Sequence, residues 1–303
     1  MNIHGIQVLK TFILEKGDFM MRISGSFRSF NCLTCPASLF LFILFIFASG
    51  ILTGCSTLST SRTWGEDATW NPGWDRLREA TVDAVKSPRT WGPLAAALVL
   101  QIDDMDERVT DWASDNTPVF GSMDNADRWS DYLRDASGGV YLMTALLTPG
   151  GDDPLEWTTS KLKGLATGAS AWGVTAGTTD LLKGQADRTR PDGSDNRSFP
   201  SGHASTAGAF TTLSMRNISC MSLSRSFERY INLAFYGIAA GTAWARVEAR
   251  QHYPSDVLTG YAIGHLASAI INDAFLGLDT GKGAILAVEP SRQGLNLNLT
   301  WRY

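Results

Sequence analysis

The stretch from Pro154 to Leu182 constrains the fold of this 303-residue chain more than any other. A turn from Pro149 to Pro154 precedes it, and no turn signal interrupts it. Small residues recur along the stretch at Gly164, Ala166, Gly168, Ala169, Gly173 and Ala176. Such a surface lets neighbouring helices approach closely. The stretch therefore predicts one long helix in the middle of a helical bundle.

Helical patterns also precede and follow this stretch. The earlier ones are a face of Trp74, Leu77, Val82 and Val85, a segment over Trp91–Ile102, and one from Trp129 to Leu147 with a break or bend near Gly138 and Gly139. The later ones are Ser201–Met215, Phe227–Val247 and Pro254–Phe275. The uncharged run within the second of these is below the usual length of a membrane span. We expect an all-α bundle over residues 73–278.

The end of the chain changes from a helical period to a period of two. Apolar residues at Leu295, Leu297, Leu299, Trp301 and Tyr303 alternate with polar ones. This alternation predicts a strand, and Ile285–Val288 is a plausible partner. We expect residues 279–303 to form a small β-hairpin that packs on the bundle.

The beginning of the chain has the features of an export signal. No charged residue occurs between Arg28 and Arg62, and Leu39–Phe47 is an unbroken apolar run. The sequence Leu-Thr-Gly-Cys that ends at Cys55 resembles a bacterial lipobox. We therefore expect a signal peptide over 1–54, lipidation of Cys55, and a flexible tether over 55–72. An uncleaved membrane anchor is the alternative.

Charge and cysteine content argue against a nucleic-acid-binding protein and against a disulfide-bonded domain. The formal net charge is −4, with no basic stretch of the kind that nucleic-acid binding requires. Of the four cysteines, Cys32 and Cys35 fall in the expected signal peptide and Cys55 would be lipidated. Only Cys220 remains, so the mature domain is expected to have no internal disulfide.

Three short motifs carry the residues suited to chemistry. The first runs from Lys183 to Arg190-Pro191, and the second is Pro200-Ser201-Gly202-His203. The third contains Arg246, His252 and Asp256. Taken singly, each is compatible with an ordinary helix end, a solvated face or a buried histidine. His265, which lies in none of them, is expected to be structural, and Asp187, Arg188, Asp192 and Arg250 are expected to be solvated flanking residues.

Together the motifs are suited to binding a phosphoryl group. A Pro-Ser-Gly turn opens a helix whose first N–H groups are unpaired, which favours an anion. Three cations, Lys183, Arg190 and Arg246, would neutralise the equatorial oxygens of the group during transfer. The arginines offer the forked geometry that phosphate prefers.

The joint pattern resembles the signature of the type 2 phosphatidic acid phosphatase superfamily, which also holds class A acid phosphatases and vanadium haloperoxidases. The resemblance covers roughly residues 130–275 and implies the helical bundle of that superfamily. It implies His252 as a nucleophile that forms a phosphohistidine, Asp256 as the acceptor of its ring proton, and His203 as general acid. It assigns phosphate binding to Lys183, Arg190, Ser201, Gly202 and Arg246.

Two departures from the pattern stand out. Ala245 replaces the serine that usually precedes the arginine of the third motif, which removes one hydroxyl contact to phosphate. Only eight residues separate Pro191 from Pro200, a short loop for the family. Both departures leave the histidines and cations in place.

The sequence predicts a metal-independent phosphatase that needs no cofactor. Its expected substrates are phosphate monoesters, either lipid phosphates or isoprenyl pyrophosphates, or a small soluble phosphomonoester. It is expected to face the periplasm as a lipid-anchored protein of the bacterial envelope, with the outer membrane favoured. The alternatives are a haloperoxidase that holds vanadate in the same site and a non-catalytic lipoprotein that binds phosphorylated lipid.

Overall fold

The computed structural model describes residues 64–277, 283–291 and 294–302. Within these ranges the chain forms eight α-helices, so the expected helical fold is confirmed. They are α1 (Gly73–Lys86), α2 (Pro88–Val99), α3 (Met105–Asn116), α4 (Met123–Leu147), α5 (Pro154–Ala186), α6 (Gly202–Ser219), α7 (Arg225–Glu248) and α8 (Pro254–Ile271). A 3₁₀ turn, Ile102–Asp104, precedes α3, and a π-helical turn, Asn272–Leu276, follows α8.

Local capping explains where several helices begin. Asp153 accepts hydrogen bonds from the backbone N–H groups of the first turn of α5, and Pro154 takes the first helical position. Ser87, Ser122 and Ser224 cap α2, α4 and α7 in the same way. These side chains satisfy donors that a helix start leaves unpaired.

The centre of the bundle is the pair α6 and α8, which approach backbone to backbone. A Cβ at Gly264 would lie 2.1 Å from the carbonyl oxygen of Ser205, and one at Gly260 would lie 2.5 Å from that of Ser201. Glycine is therefore required at both positions of α8. Since α6 and α8 begin with the second and third motifs, this contact fixes the two motifs relative to each other.

The segment before α1 corrects one expectation. The sequence predicts a flexible tether over 55–72, but within its described part, residues 64–72, Trp64 is 1% exposed and its backbone N–H donates to the carbonyl of Pro149 at 2.8 Å. The indole occupies the space that a Cβ at Gly164 of α5 would need. The ammonium of Lys161 lies 4.9 Å from the indole centroid. The polar composition of the segment gave no indication that Trp64 is buried.

Two further differences concern α4 and α3. The break or bend expected near Gly138 and Gly139 does not interrupt α4, which is continuous from Met123 to Leu147. A Cβ at Gly138 would lie 3.5 Å from Phe210, an ordinary contact distance, so α4 packs against α6 at this position. Helix α3 was not predicted from the sequence at all.

Beyond the helices, two strands pair antiparallel. β1 (Gly283–Ser291) pairs with β2 (Gly294–Arg302) in a register that sets Gly283 opposite Arg302. The expected packing of this hairpin on the bundle stays a prediction. Among the helices that the structure describes, none combines the length and hydrophobicity that crossing a bilayer requires.

Candidate active site

The three sequence motifs meet at one end of the bundle. Lys183 and Arg246 lie in the last turns of α5 and α7. His203 and Asp256 lie in the first turns of α6 and α8. The loops between these helices carry Arg190 and His252. Of the predicted site residues, Cys55 alone lies outside the described part of the chain.

His252 is 1% exposed and held in one tautomer. Its Nδ1 lies 2.6 Å from the carbonyl oxygen of Ser198, which can only accept, so Nδ1 carries the proton and donates it. The unprotonated Nε2 lies 3.4 Å from Nη1 of Arg190. Burial lowers the pKa of His252 to about 4. At neutral pH the ring is therefore uncharged, and the lone pair of Nε2 faces the Arg190 guanidinium.

Asp256 does not accept this ring proton directly, contrary to the sequence prediction. Its Oδ2 is 3.8 Å from Nδ1 of His252, beyond hydrogen-bond distance. The same oxygen accepts from Ser198 Oγ at 2.5 Å and from the N–H of Tyr253 at 2.9 Å. Ser198 thus joins the two groups, with its hydroxyl on Asp256 and its carbonyl on His252. A backbone acceptor leaves no side-chain pattern, which is why the sequence did not predict it.

Arg188 neutralises Asp256 from the other side. Its Nη1 donates to Asp256 Oδ1 at 2.7 Å, and its Nη2 donates to Asp106 Oδ2 at 2.8 Å. The guanidinium also lies 4.0 Å from the ring centroid of Tyr253. Burial by itself would raise the pKa of Asp256, but the His252 ring, Arg188 and the hydrogen bond from Ser198 lower it below its usual value. Arg188 is therefore a structural part of the site and not a solvated flanking residue.

Asp106 is a member of this network that sequence analysis missed. It is 3% exposed and accepts from the backbone N–H of Ser255 at 2.8 Å as well as from the Ser255 hydroxyl. It therefore attaches α3 to the first turn of α8. Because α3 itself was not predicted, nothing in the sequence placed this carboxylate near the third motif.

Arg246 has an unpaired donor in the centre of the site. The residue is 6% exposed, and its Nε is buried without a hydrogen-bond partner. Its Nη1 donates to Asp127 Oδ1 at 2.5 Å and to Ser130 Oγ at 3.2 Å. A buried guanidinium N–H normally has an acceptor. Nε of Arg246 is therefore a donor that a bound anion oxygen could accept from.

Arg190 and Lys183 supply the other two cations. Nε of Arg190 donates to Asp195 at 2.7 Å, and Nζ of Lys183 donates to the carbonyl of Arg197 at 2.6 Å. Burial lowers the pKa of Lys183 to about 8, and the positive charges of Arg190 and Arg197 add to this.

Ser201 and Gly202 begin α6 beside these cations. Ser201 is fully buried, and its hydroxyl accepts from the N–H of Ala204 at 3.5 Å as the helix cap. A Cβ at Gly202 would lie 3.9 Å from Cε of Lys183, so the lysine stem passes over this glycine. The free N–H groups of the helix start thus lie next to Lys183.

His203 contacts two residues of α4 that the sequence analysis did not single out. Its Nε2 lies 2.9 Å from Asp131 Oδ1 and 2.8 Å from Nη1 of Arg134. A protonated Nε2 donates to Asp131, whereas an unprotonated one accepts from Arg134. Burial lowers the pKa of His203 to about 4, with Arg246 acting in the same direction and Asp131 opposing.

A cavity of about 670 Å³ adjoins His203 between α4, α5 and α6. Its walls include Leu142, Trp172 and Phe210, and Arg134 lies at the same cavity. The rings of Trp172 and Phe210 stack with centroids 6.3 Å apart. The cavity therefore offers an apolar surface next to the expected general acid.

The remaining predicted residues lie outside the centre of the site. His265 is 2% exposed, and its two ring nitrogens lie within hydrogen-bond distance of the hydroxyls of Ser87 and Thr212. Asp187 ends α5 with a φ of 43°. Arg250 pairs with Asp111 at 2.7 Å.

Comparison with known proteins agrees with the motifs. The family model of the PAP2 superfamily matches residues 164–276. A lipid A 1-phosphatase of Porphyromonas gingivalis is 34% identical over 108 residues, which are 36% of this chain and 23% of that protein. One of Rhizobium johnstonii is 35% identical over 100 residues, which are 28% of this chain and 37% of that protein. The matches thus span less than two fifths of either relative.

Among solved structures, the crystal structure of the first transmembrane PAP2 type phosphatidylglycerolphosphate phosphatase from Bacillus subtilis has a TM-score of 0.34 and 17% identity. The structural match covers 66% of this chain and 95% of the Bacillus subtilis chain. The family match includes all three motifs, from Lys183 to Asp256. Residues 164–276 of this chain are therefore similar to the PAP2 superfamily.

Proposed function

We propose that this protein is a metal-independent phosphatase that hydrolyses phosphate monoesters of lipids through a phosphohistidine intermediate. The observation that carries the proposal is an unprotonated ring nitrogen among cations, one of which has an unpaired donor. Nε2 of His252 is unprotonated and lies 3.4 Å from Nη1 of Arg190, and Nε of Arg246 is a buried donor without an acceptor. A phosphoryl group bound among Lys183, Arg190 and Arg246 would accept from Nε of Arg246 and from Nη1 of Arg190, which leaves the lone pair of Nε2 to attack phosphorus.

In the first step, the Nε2 lone pair of His252 attacks phosphorus and the bond to the leaving oxygen breaks. His203 gives its ring proton to that oxygen, so that a neutral alcohol departs. The phosphorylated ring of His252 is cationic and keeps its Nδ1 proton. The Ser198 carbonyl at 2.6 Å and the Asp256 carboxylate at 3.8 Å stabilise that charge.

In the second step, water attacks the phosphohistidine. His203, neutral after the first step, takes a proton from the water, and the N–P bond breaks. Inorganic phosphate leaves, and both rings return to their starting states. The cations remain fixed in both steps, since catalysis of phosphoryl transfer depends mainly on positioning and charge neutralisation.

The lowered pKa of His203 gives this mechanism a pH dependence. Because the pKa of His203 is about 4, its ring is mostly neutral at neutral pH and not in the protonated form that acts as general acid. For an alkyl phosphate, whose leaving group needs that proton, kcat/KM is expected to be greater at mildly acidic than at neutral pH.

A lipid substrate is supported by the cavity next to His203. The leaving group departs on the side of the general acid, and there the walls are Leu142, Trp172 and Phe210. An apolar leaving group would bury its surface against them. The relatives named as lipid A 1-phosphatases point in the same direction.

A phosphate-release assay on the full chain tests this proposal. The panel contains a lipid A 1-phosphate, a phosphatidate, an isoprenyl diphosphate and a soluble nucleotide, each with and without excess chelator. We expect turnover of a lipid phosphate that chelator does not reduce, and inhibition by vanadate. An absolute requirement for added divalent metal contradicts the mechanism, as does halide oxidation in the presence of vanadate.

The proposal includes attachment to the bacterial envelope through Cys55, facing the periplasm. It is supported by the Leu-Thr-Gly-Cys sequence after an apolar run. Cells fed labelled palmitate are expected to label the wild-type chain but not Cys55→Ser. Incorporation into the variant contradicts the lipid anchor.

A further inference from the structure

Gln251, the residue before His252, joins the two arginines of the site. Its side-chain oxygen accepts from Nη1 of Arg190 and from Nη2 of Arg246, each at 3.2 Å. The carbonyl oxygen of Gln251 accepts from the same Nη1 of Arg190, also at 3.2 Å. Neither the family resemblance nor the motif spacing singles out this position.

An uncharged acceptor is what this position requires. Two guanidinium groups that share one acceptor repel each other: burial lowers the pKa of Arg246, and the charge of Arg190 acts in the same direction. A carboxylate between them would remove the repulsion but would also cancel the positive charge that attracts phosphate. A carboxamide holds the pair together and leaves its charge intact.

A hydrogen bond to Asp192 orients the carboxamide of Gln251. Its Nε2 donates to Asp192 Oδ2 at 2.8 Å, and the other oxygen of Asp192 accepts from the N–H of Ser194 at 2.9 Å. This bond fixes which end of the amide faces the arginines. Nε of Arg246 takes no part in the arrangement and remains available to an anion.

We propose that Gln251 is a positioning residue that holds Arg190 and Arg246 in the geometry that binds the phosphoryl group, with Asp192 orienting its amide. The inference rests on the proposed phosphate site. Gln251 does not contact the reacting atoms in this proposal, because the two guanidinium groups already share its side-chain oxygen.

Equilibrium binding of inorganic phosphate to the full chain tests this role without requiring turnover. Three variants are compared by calorimetry: Gln251→Ala, Gln251→Glu and the control Gln185→Glu, which adds the same charge at an exposed position near the end of α5. Loss of hydrogen bonds to charged groups corresponds to about tenfold or more in affinity. We expect at least that loss for both Gln251 variants and less than about twofold for the control.

Steady-state kinetics separate this role from a general loss of structure. In Gln251→Glu the new carboxylate next to His252 raises the pKa of the ring, so the acidic limb of kcat/KM moves to higher pH. Gln251→Ala is expected to leave that limb in place, and both variants are expected to keep the wild-type melting temperature.

Two results would overturn the proposal. Tighter phosphate binding by Gln251→Ala would mean that the amide obstructs the site, and unchanged binding in both variants would mean that it does not position the arginines. A wild-type chain that binds phosphate but hydrolyses no phosphomonoester would contradict the proposed function and leave the binding comparison valid.

Discussion

At the scale of residues, the orientation of His252 depends on a chain of three hydrogen bonds. The Ser198 carbonyl contacts the ring, Asp256 holds the Ser198 hydroxyl, and Arg188 holds Asp256. Arg188 also reaches Asp106, so one guanidinium compensates two buried carboxylates. The ring is therefore positioned through intermediates and not by one carboxylate in direct contact.

Replacing Arg188 by Met should affect both stability and turnover. Two buried carboxylates would lose their cation, which we expect to cost roughly 3 kcal/mol of unfolding free energy. Because the guanidinium of Arg188 is paired with Asp106 and Asp256 and reaches His252 only through Asp256 and Ser198, kcat should fall more than KM rises. Chemical denaturation and steady-state kinetics measure the two effects.

Arg250→Met is the matched control for Arg188→Met. Arg250 pairs with Asp111 through side chains that are 39% and 58% exposed, and such surface pairs contribute less than about 1 kcal/mol. Equal losses of stability in the two variants would show that the Asp106–Arg188–Asp256 bridge has no special role.

His203→Ala should discriminate between leaving groups. A nitrophenolate departs without protonation, whereas an alkoxide needs a proton. General acid catalysis contributes about 10²–10⁴-fold, so hydrolysis of an alkyl phosphate should fall by that factor more than hydrolysis of nitrophenyl phosphate. Equal losses on the two substrates would remove His203 from the role of general acid.

At the scale of elements, close helix contacts at glycines hold the site and its support in place. Gly260 and Gly264 let α8 lie against α6, and Gly164 makes room on α5 for Trp64. The first contact sets the two histidine motifs side by side. The second attaches the segment before α1 to the bundle.

Gly164→Ala tests the second contact. The added Cβ would lie 2.0 Å from the Trp64 ring, so the indole must move, and we expect a loss of about 3 kcal/mol in unfolding free energy. Gly173→Ala, on the same helix with nothing within 4 Å, should instead stabilise by about 0.5–1 kcal/mol. Similar effects of the two changes would contradict the packing of Trp64 on α5.

The elements that the sequence predicted are those with a regular apolar or small-residue pattern. The helices that carry the motifs, α5 to α8, could be predicted because helix caps and residue spacing are local features of the sequence. Helix α3 was missed because its buried residues include Asp106, Thr110 and Ser114, which show no apolar period. Two residues in left-handed conformation, Asp103 and Asp104, also precede it.

At the scale of the whole molecule, more of the candidate site than of the scaffold that supports it could be predicted from the sequence. Lys183, Arg190, His203, Arg246 and His252 converge as the motifs imply. Their partners could not be predicted, because Asp127, Asp131 and Arg134 on α4 and Asp106 on α3 are far from the motifs in sequence. Only the packing of the bundle brings them together.

Buried histidines make the stability of the molecule depend on pH. His265 has a pKa lowered by burial to about 3, far below that of an unfolded chain. The unfolded state therefore binds more protons, and stability is retained above pH 6.5 and lost as pH falls toward 3. Between pH 7 and pH 5 this residue alone should account for about 2 kcal/mol.

His265→Gln should reduce that pH dependence. Glutamine does not titrate, so unfolding free energies from denaturant titrations at pH 7 and pH 5 should differ by about 2 kcal/mol less in the variant than in the wild type. The same difference in both proteins would mean that the His265 ring binds protons equally in the folded and unfolded states.

The central claim is that His252 attacks phosphorus, and trapping of the phosphorylated protein tests it most directly. The full chain is mixed with a ³²P-labelled aryl phosphate, quenched within one turnover, and mapped by mass spectrometry. The account predicts an acid-labile label on Nε2 of His252, which persists in His203→Ala and is absent, together with turnover, in His252→Ala. A label on His203, or turnover that survives in His252→Ala, would contradict it.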